Sequence, residues 1–298
     1  FRIPRPNLSI QRGTPNACIR CHIDKTHEWA NQSITNWYGP GRRAHYGTAI
    51  AEGRKRSAHA HKDLVKLASD PLYPVIVRST ALSLLAAYPG EETSRAYELA
   101  LMDDEALIRR PAVDHLNVSD PKRQTELLTF MLYDPVKAVR IEAARRMTEI
   151  SEPKLNSNQK QVFQASLVEY QKSMEYSADF AFGRYNLANL YVALKRPGKA
   201  VKNYQAAIKI DKLFYPAKVN LAMLYNQQEK NEEAEVLLRE VVTAHPDLYE
   251  IKYSLGLLLG EMEKYEEAAS YLADAAEDGQ QMVLFLQFLD RPGQFDFI

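Results

Sequence analysis

In the C-terminal half of the chain, side chains recur every 34 residues in strict register. Leu187, Leu221 and Leu255 align, and Ala188, Ala222 and Gly256 follow them. Next come Tyr191, Tyr225 and Leu259; Ala200, Ala234 and Ala268; Tyr204, Leu238 and Leu272; and Ala207, Val241 and Ala275. A fixed period of this length marks a stacked array. Each unit is a helix pair that cannot bury its apolar face alone, so neighbours must cover it. The small residues mark the crossing of the two helices of a pair. The large ones fill the space between pairs. The constraint selects an all-α chain.

A second period, of 31, runs through the middle of the chain. Val77-Arg78, Ile108-Arg109 and Val139-Arg140 align, as do Ala81, Ala112 and Ala143, and then Leu85, Leu116 and Met147. Acidic turns precede each: Asp70-Pro71, Asp103-Asp104 and Asp134-Pro135. They start the second helix of each pair, and the aligned arginines are expected to meet acidic neighbours along the stack. The 31-residue units resemble HEAT-like repeats, although their period is short for that family. The 34-residue units look like three tetratricopeptide repeats. Residues Lys160 to Tyr176 read as one more helix of this kind, with Ser151 to Gln159 as a short junction. The expected division is 1–62, an arm and Cys/His segment; 63–150, HEAT-like pairs; and 151–298, tetratricopeptide pairs with a C-terminal cap. Together the repeats would form one continuous α-solenoid. The apolar run Met282 to Leu289 and the ending Phe295-Asp296-Phe297-Ile298 are expected to fold back as a cap or to meet another chain.

The chemistry lies near the other end. Cys18-Ile19-Arg20-Cys21-His22 holds the only two cysteines of the chain, in the pattern of covalent c-type haem attachment. Two thiols one helical turn apart match two vinyl groups on one porphyrin edge. The next residue, His22, then becomes the proximal iron ligand. Three rivals use the same residues. One is a redox pair, which prefers a βαβ setting that no strand pattern supplies here. Another is a zinc site built from Cys18, Cys21 and two of His22, His27 and His45. The last is a plain reduced pair.

The sixth iron ligand must come from the face opposite His22. His27 lies five residues on, read as part of the same helix, and cannot reach that face. No methionine precedes Met102. His45 follows the Gly39-Pro40-Gly41 reversal and is the first choice; His59 and His61 are the alternatives, along with a ligand from another chain or an open site. Trp29, Ala30, Ile34, Trp37 and Tyr38 follow helical spacing. Trp29 and Trp37 either pack on the porphyrin or fill a small core. Further helices are expected over about 45–55 and 58–68. Pro4, Pro6, Gly13 and Pro15 predict an extended arm over Phe1 to Asn16.

Lys plus Arg and Asp plus Glu both number 38, which argues against nucleic acid or an anionic membrane as the main partner. No apolar run reaches transmembrane length. The chain opens on Phe1 with no visible leader, so an upstream part is expected to be missing. The order of parts resembles exported bacterial multihaem c-type cytochromes with a tetratricopeptide tail: a Pro-rich arm, Gly13-Thr14-Pro15-Asn16-Ala17-Cys18-Ile19-Arg20-Cys21-His22, Trp29-Ala30, Trp37-Tyr38-Gly39, His45-Tyr46-Gly47, then the repeats. That resemblance implies one covalent haem c on Cys18 and Cys21, iron held by His22, and a periplasmic, cell-surface or extracellular site. It also implies electron transfer rather than catalysis, with other cytochrome subunits, copies of the chain or redox proteins as partners. A non-closing head-to-tail contact would build a filament. The rival function is a repeat-based protein–protein adaptor with a structural Cys/His site, holding zinc or no cofactor. A haem enzyme with an open iron position ranks last, because no general acid or base marks itself.

Overall fold

The computed structural model describes residues 4–41, 44–150 and 153–276. Among these residues there are seventeen α-helices and no strand. The chain divides into two compact units, 1–124 and 125–298.

The first unit begins with α1 (Pro6–Arg12), α2 (Ala17–Cys21), α3 (His27–Tyr38) and α4 (Tyr46–Arg54). It continues with α5 (Ala60–Ser69), α6 (Val75–Leu85), α7 (Glu91–Ala100) and α8 (Ala106–Asp114). The expected extended arm is therefore in part a helix. Pro6 occupies the first helical turn, where no backbone donor is needed and a fixed φ is an advantage. Gly13, at φ 64°, ends the helix in the left-handed conformation. The proline spacing forbids a long helix but permits this short one, and a filament built on an extended arm loses that support. α1 packs on α3, and α4 packs on α5 and α6. Gly39 stops α3, as the sequence indicates. A second correction concerns His27. It opens α3 after its own N-cap, Thr26, and does not continue the helix of the cysteines.

The 31-residue register marks the buried side of α6 and α8. Val77, Ala81, Leu85, Ile108, Ala112 and Leu116 are all buried. The acidic turns act through Asx geometry: Asp70 Oδ1 accepts from Leu72 N–H at 2.9 Å, and Asp103 Oδ1 from Glu105 N–H at 3.0 Å. Arg78 reaches forward to Asp103, its Nη2 lying 2.5 Å from Oδ2. Arg109 Nη1 donates to the carbonyls of Asp103 and Asp104.

The second unit holds most of α9 (Pro121–Met131), then α10 (Lys137–Met147) and α11 (Ser157–Tyr176). The remaining pairs are α12 (Ala181–Ala193) with α13 (Pro197–Ile210), α14 (Tyr215–Asn226) with α15 (Asn231–Ala244), and α16 (Tyr249–Glu261) with α17 (Tyr265–Ala276). Val139, Ala143 and Met147 on α10 are buried in the same register. Arg140 makes a fork to both oxygens of Glu169 on α11, at 3.0 and 3.1 Å. α11 packs on α10 and on α12, so it splices the two kinds of pair as expected. It starts at Ser157, inside the expected junction, because Asn156 and Gln159 form a capping box.

From α12 onward the 34-residue register is the core. Leu187, Leu221 and Leu255, then Ala188, Ala222 and Gly256, then Ala200, Ala234 and Ala268 are all buried. At Gly256 an added Cβ would lie 2.8 Å from Leu272 Cγ, which is the helix crossing that the small residues mark. Lys195, Glu229 and Glu263 share another register position and have φ of 55°, 60° and 61°. At each, the next residue's N–H closes a wide turn: Arg196 to the Tyr191 carbonyl at 2.8 Å, and Lys230 to Tyr225 and Lys264 to Leu259, both at 2.9 Å. The left-handed residue turns the chain from the first helix of each pair into the second. The apolar stretch from Met282 to Leu289 and the final residues 295–298 lie outside the described residues.

Two substitutions test this geometry. Glu229→Gly relieves a side chain of left-handed strain and should stabilise the fold by about 1 kcal/mol. Gly183→Ala should destabilise it by ~1–3 kcal/mol, because the new methyl would meet the Ser177 carbonyl. Urea unfolding of each variant against wild type reads both, with opposite signs expected.

Candidate functional site

α2 is a single exposed turn. Asn16 precedes it in extended conformation, and its Oδ1 accepts the Cys18 N–H at 3.0 Å. At the other end His22 N–H donates to the Cys18 carbonyl at 3.0 Å. No residue of α2 is buried. Cys18 is half-buried, Cys21 is exposed, and both thiols are free. The His22 ring lies beside Trp29, with centroids 4.9 Å apart and planes at 52°. Trp29 is brought there by α3, whose inner face is Ala30 and Ile34. Trp37 is 71% exposed and Ile23 86% exposed. The aromatic residues of α3 thus do not fill a core; its buried side is aliphatic.

These residues fit a covalent haem. Two free thiols stand one turn apart, an imidazole ends that turn against Trp29, and the exposed Ile23 follows it. A set for zinc is not assembled: among the described residues, no three His, Cys, Asp or Glu side chains come close enough to hold a metal ion.

The histidines considered for the sixth position have other engagements. His45 is the N-cap of α4, and its Nδ1 accepts the Gly47 N–H at 3.0 Å. That bond puts the proton of the neutral ring on Nε2, so iron ligation through Nε2 requires the cap to open. His59 is largely exposed, with Nε2 3.4 Å from Glu52 Oε2. His61 stacks on Tyr88, with centroids 5.8 Å apart, and its Nε2 lies 2.9 Å from Thr93 Oγ1.

Sequence reasoning passed over the residues that fasten this segment. Ser9 Oγ donates to the Pro15 carbonyl at 3.3 Å, immediately before Asn16. Asn16 itself carries a sequence signal, an asparagine directly before a helical pattern. Arg12 on α1 pairs with Glu52 on α4. Ser57 Oγ donates to the other Glu52 oxygen at 2.7 Å. The Ser57 and Arg12 hydrogen bonds hold the Glu52 carboxyl at about 2. Nothing in the sequence links residues 40 positions apart on two short helices.

Comparison with known proteins bears on the second unit. Family models described as tetratricopeptide repeat match residues 183–212 and 217–245. Two tetratricopeptide repeats therefore occupy α12–α13 and α14–α15, and α16–α17 continues their register. Among solved structures, the chain is similar to a crystal structure of MamA at 14% identity and a TM-score of 0.34, covering 64% of this chain and 90% of that one. A second, of MamA protein, gives 14% identity and a TM-score of 0.37, covering 80% and 94%. No curated protein matches the chain. No helix among the described residues is long and apolar enough to cross a membrane.

The Glu52 tie has a pH signature. Its carboxyl is lowered from 4.5 to about 2, so the fold favours the charged form. The stabilisation is full above the unfolded value and is lost as pH falls from 4.5 through about 2. Glu52→Gln at pH 7 should lower the protection of the α1 amides relative to their intrinsic exchange rates, as protonation of Glu52 does in wild type. Equal exchange in the two proteins at pH 7 would show that the pair does not fasten α1.

Proposed function

We propose that the chain is a helical-repeat scaffold for protein partners, and that its first unit presents one covalent haem c for electron transfer. The observation behind the scaffold is the pair of tetratricopeptide repeats with a third pair in register. Stacked pairs of this kind present an extended surface built from successive helices. Two of the first helices leave Phe182 and Leu257 exposed.

The haem reading rests on a different observation. Cys18 and Cys21 lie on a turn that buries nothing, with His22 at its end. Helices that bury no side chain gain little from the rest of the protein, and a bound group on the open side supplies the missing contact. Cys18 and Cys21 would hold the haem by thioethers, and His22 would ligate the iron. Trp29 restrains the His22 ring from one side. When bound, the haem supplies one-electron redox chemistry. The protein contributes ligation, shielding by apolar side chains and placement relative to partners. Haem c is attached outside the cytoplasm, so this reading places the chain in the periplasm, at the cell surface or outside the cell. The partners are proteins, with other cytochrome subunits, copies of the chain or soluble redox proteins as the donors and acceptors.

The two parts are tested separately. Protein made in a host that attaches haem c should keep its colour through acid–acetone extraction, and Cys18→Ala/Cys21→Ala should lose it. Extractable or absent colour in wild type would remove the haem and leave a repeat-based adaptor with a free cysteine pair. For the scaffold, Phe182→Glu/Leu257→Glu should abolish cross-linking to partners in native extract while the far-ultraviolet dichroism stays unchanged. Undiminished cross-linking would place docking elsewhere.

A further inference from the structure

We propose that Asn16 is a positioning residue for covalent attachment at Cys18, an inference that rests on the haem reading above. α2 has only five residues, and none of them is buried. A helix so short does not persist by itself, because nucleation outweighs the few hydrogen bonds gained. It must be held from its ends. Asn16 is the fixed point, at 4% exposure, with Oδ1 bonded to the backbone N–H of Cys18 itself. That bond also sets the orientation of the carboxamide and leaves Nδ2 buried without a partner. Ser9, also buried, fixes the carbonyl just before it, and α1 carries Ser9 against α3. The anchorage thus runs from α1 through Pro15 and Asn16 to the first cysteine.

Attachment makes a specific demand on this arrangement. Each thiol adds across one vinyl group: sulfur bonds to the carbon next to the ring, and the thiol hydrogen ends on the terminal carbon. Nothing leaves, and no oxidant or reductant is consumed. Both additions occur on one rigid ring, so the two thiols must hold a fixed separation. If the first turn frays, Cys21 can still react while Cys18 swings away. The result of losing the cap is then a defined product, a haem held through Cys21 alone.

The test compares wild type, Asn16→Ala and Asn16→Ser, all produced as the full chain in a host that attaches haem c. Free thiols are alkylated after denaturation and located by mass spectrometry, and the α band of the pyridine haemochrome is recorded. Wild type should show a free thiol in only a small background share of chains. Asn16→Ala should raise the share of single-thioether chains with a free Cys18 by about fivefold, the effect expected of a lost N-cap. Its α band should move to longer wavelength, as an unreacted vinyl requires. Asn16→Ser, which can still cap, should restore both readouts. Full double attachment in Asn16→Ala overturns the proposal. So does equal loss in Ala and Ser variants with equally lowered thermal midpoints, which would mean that Asn16 acts through packing. Wild type without haem overturns the haem reading, and this inference with it.

Discussion

A single helix pair in this protein has an apolar face that it cannot cover. Burial between neighbouring pairs is what the second unit depends on. The small residues Ala188, Ala222 and Gly256 let the helices of a pair approach, and Leu187, Leu221 and Leu255 are then sealed against a neighbouring pair. Repetition follows from this requirement, because each added pair both covers its neighbour and needs one itself. The same logic, at a shorter period, buries Val77, Ile108 and Val139. Polar contacts are secondary and fix the spacing: Arg140 with Glu169 ties α10 to α11, and Arg239 with Glu267 ties α15 to α17. The bonds to Glu267 and Glu235 hold the Arg239 guanidinium well above its usual range.

The cysteine turn is built on the opposite principle. It has no buried side chain, and its conformation is set by backbone capping from Asn16 and by the chain from α1. The repeats are stable through area; α2 is defined by a few directional bonds. The free thiols and His22 lie on this turn, the exposed Ile23 follows it, and Trp29 lies against the His22 ring.

Most of the repeat architecture was legible in the sequence, since burial imposes a period and a period is visible. The aligned leucines and alanines are buried where the register put them, although Tyr225 and Leu272 are only half-buried. The left-handed turns at Lys195, Glu229 and Glu263 were not legible. Charged residues stand there in place of glycine, so no residue type announced the turn. The first helix was missed for the converse reason. Its prolines were read as helix breakers, yet Pro6 lies in the one turn that tolerates proline. At the cysteine segment, the motif and its one-turn spacing were visible. The break between α2 and α3 and the capping use of His45 were not, because both depend on local backbone geometry that histidine and threonine spacing does not specify.

We propose two parts, tetratricopeptide repeats that dock protein partners and a cysteine turn that carries one haem. The measurement that tests this account most directly is the visible spectrum of the natively matured chain, oxidised and then reduced with dithionite. The account predicts a sharp reduced c-type α band with one haem per chain. A chain that is colourless after native maturation would contradict it, and would leave the repeats as the whole of the function.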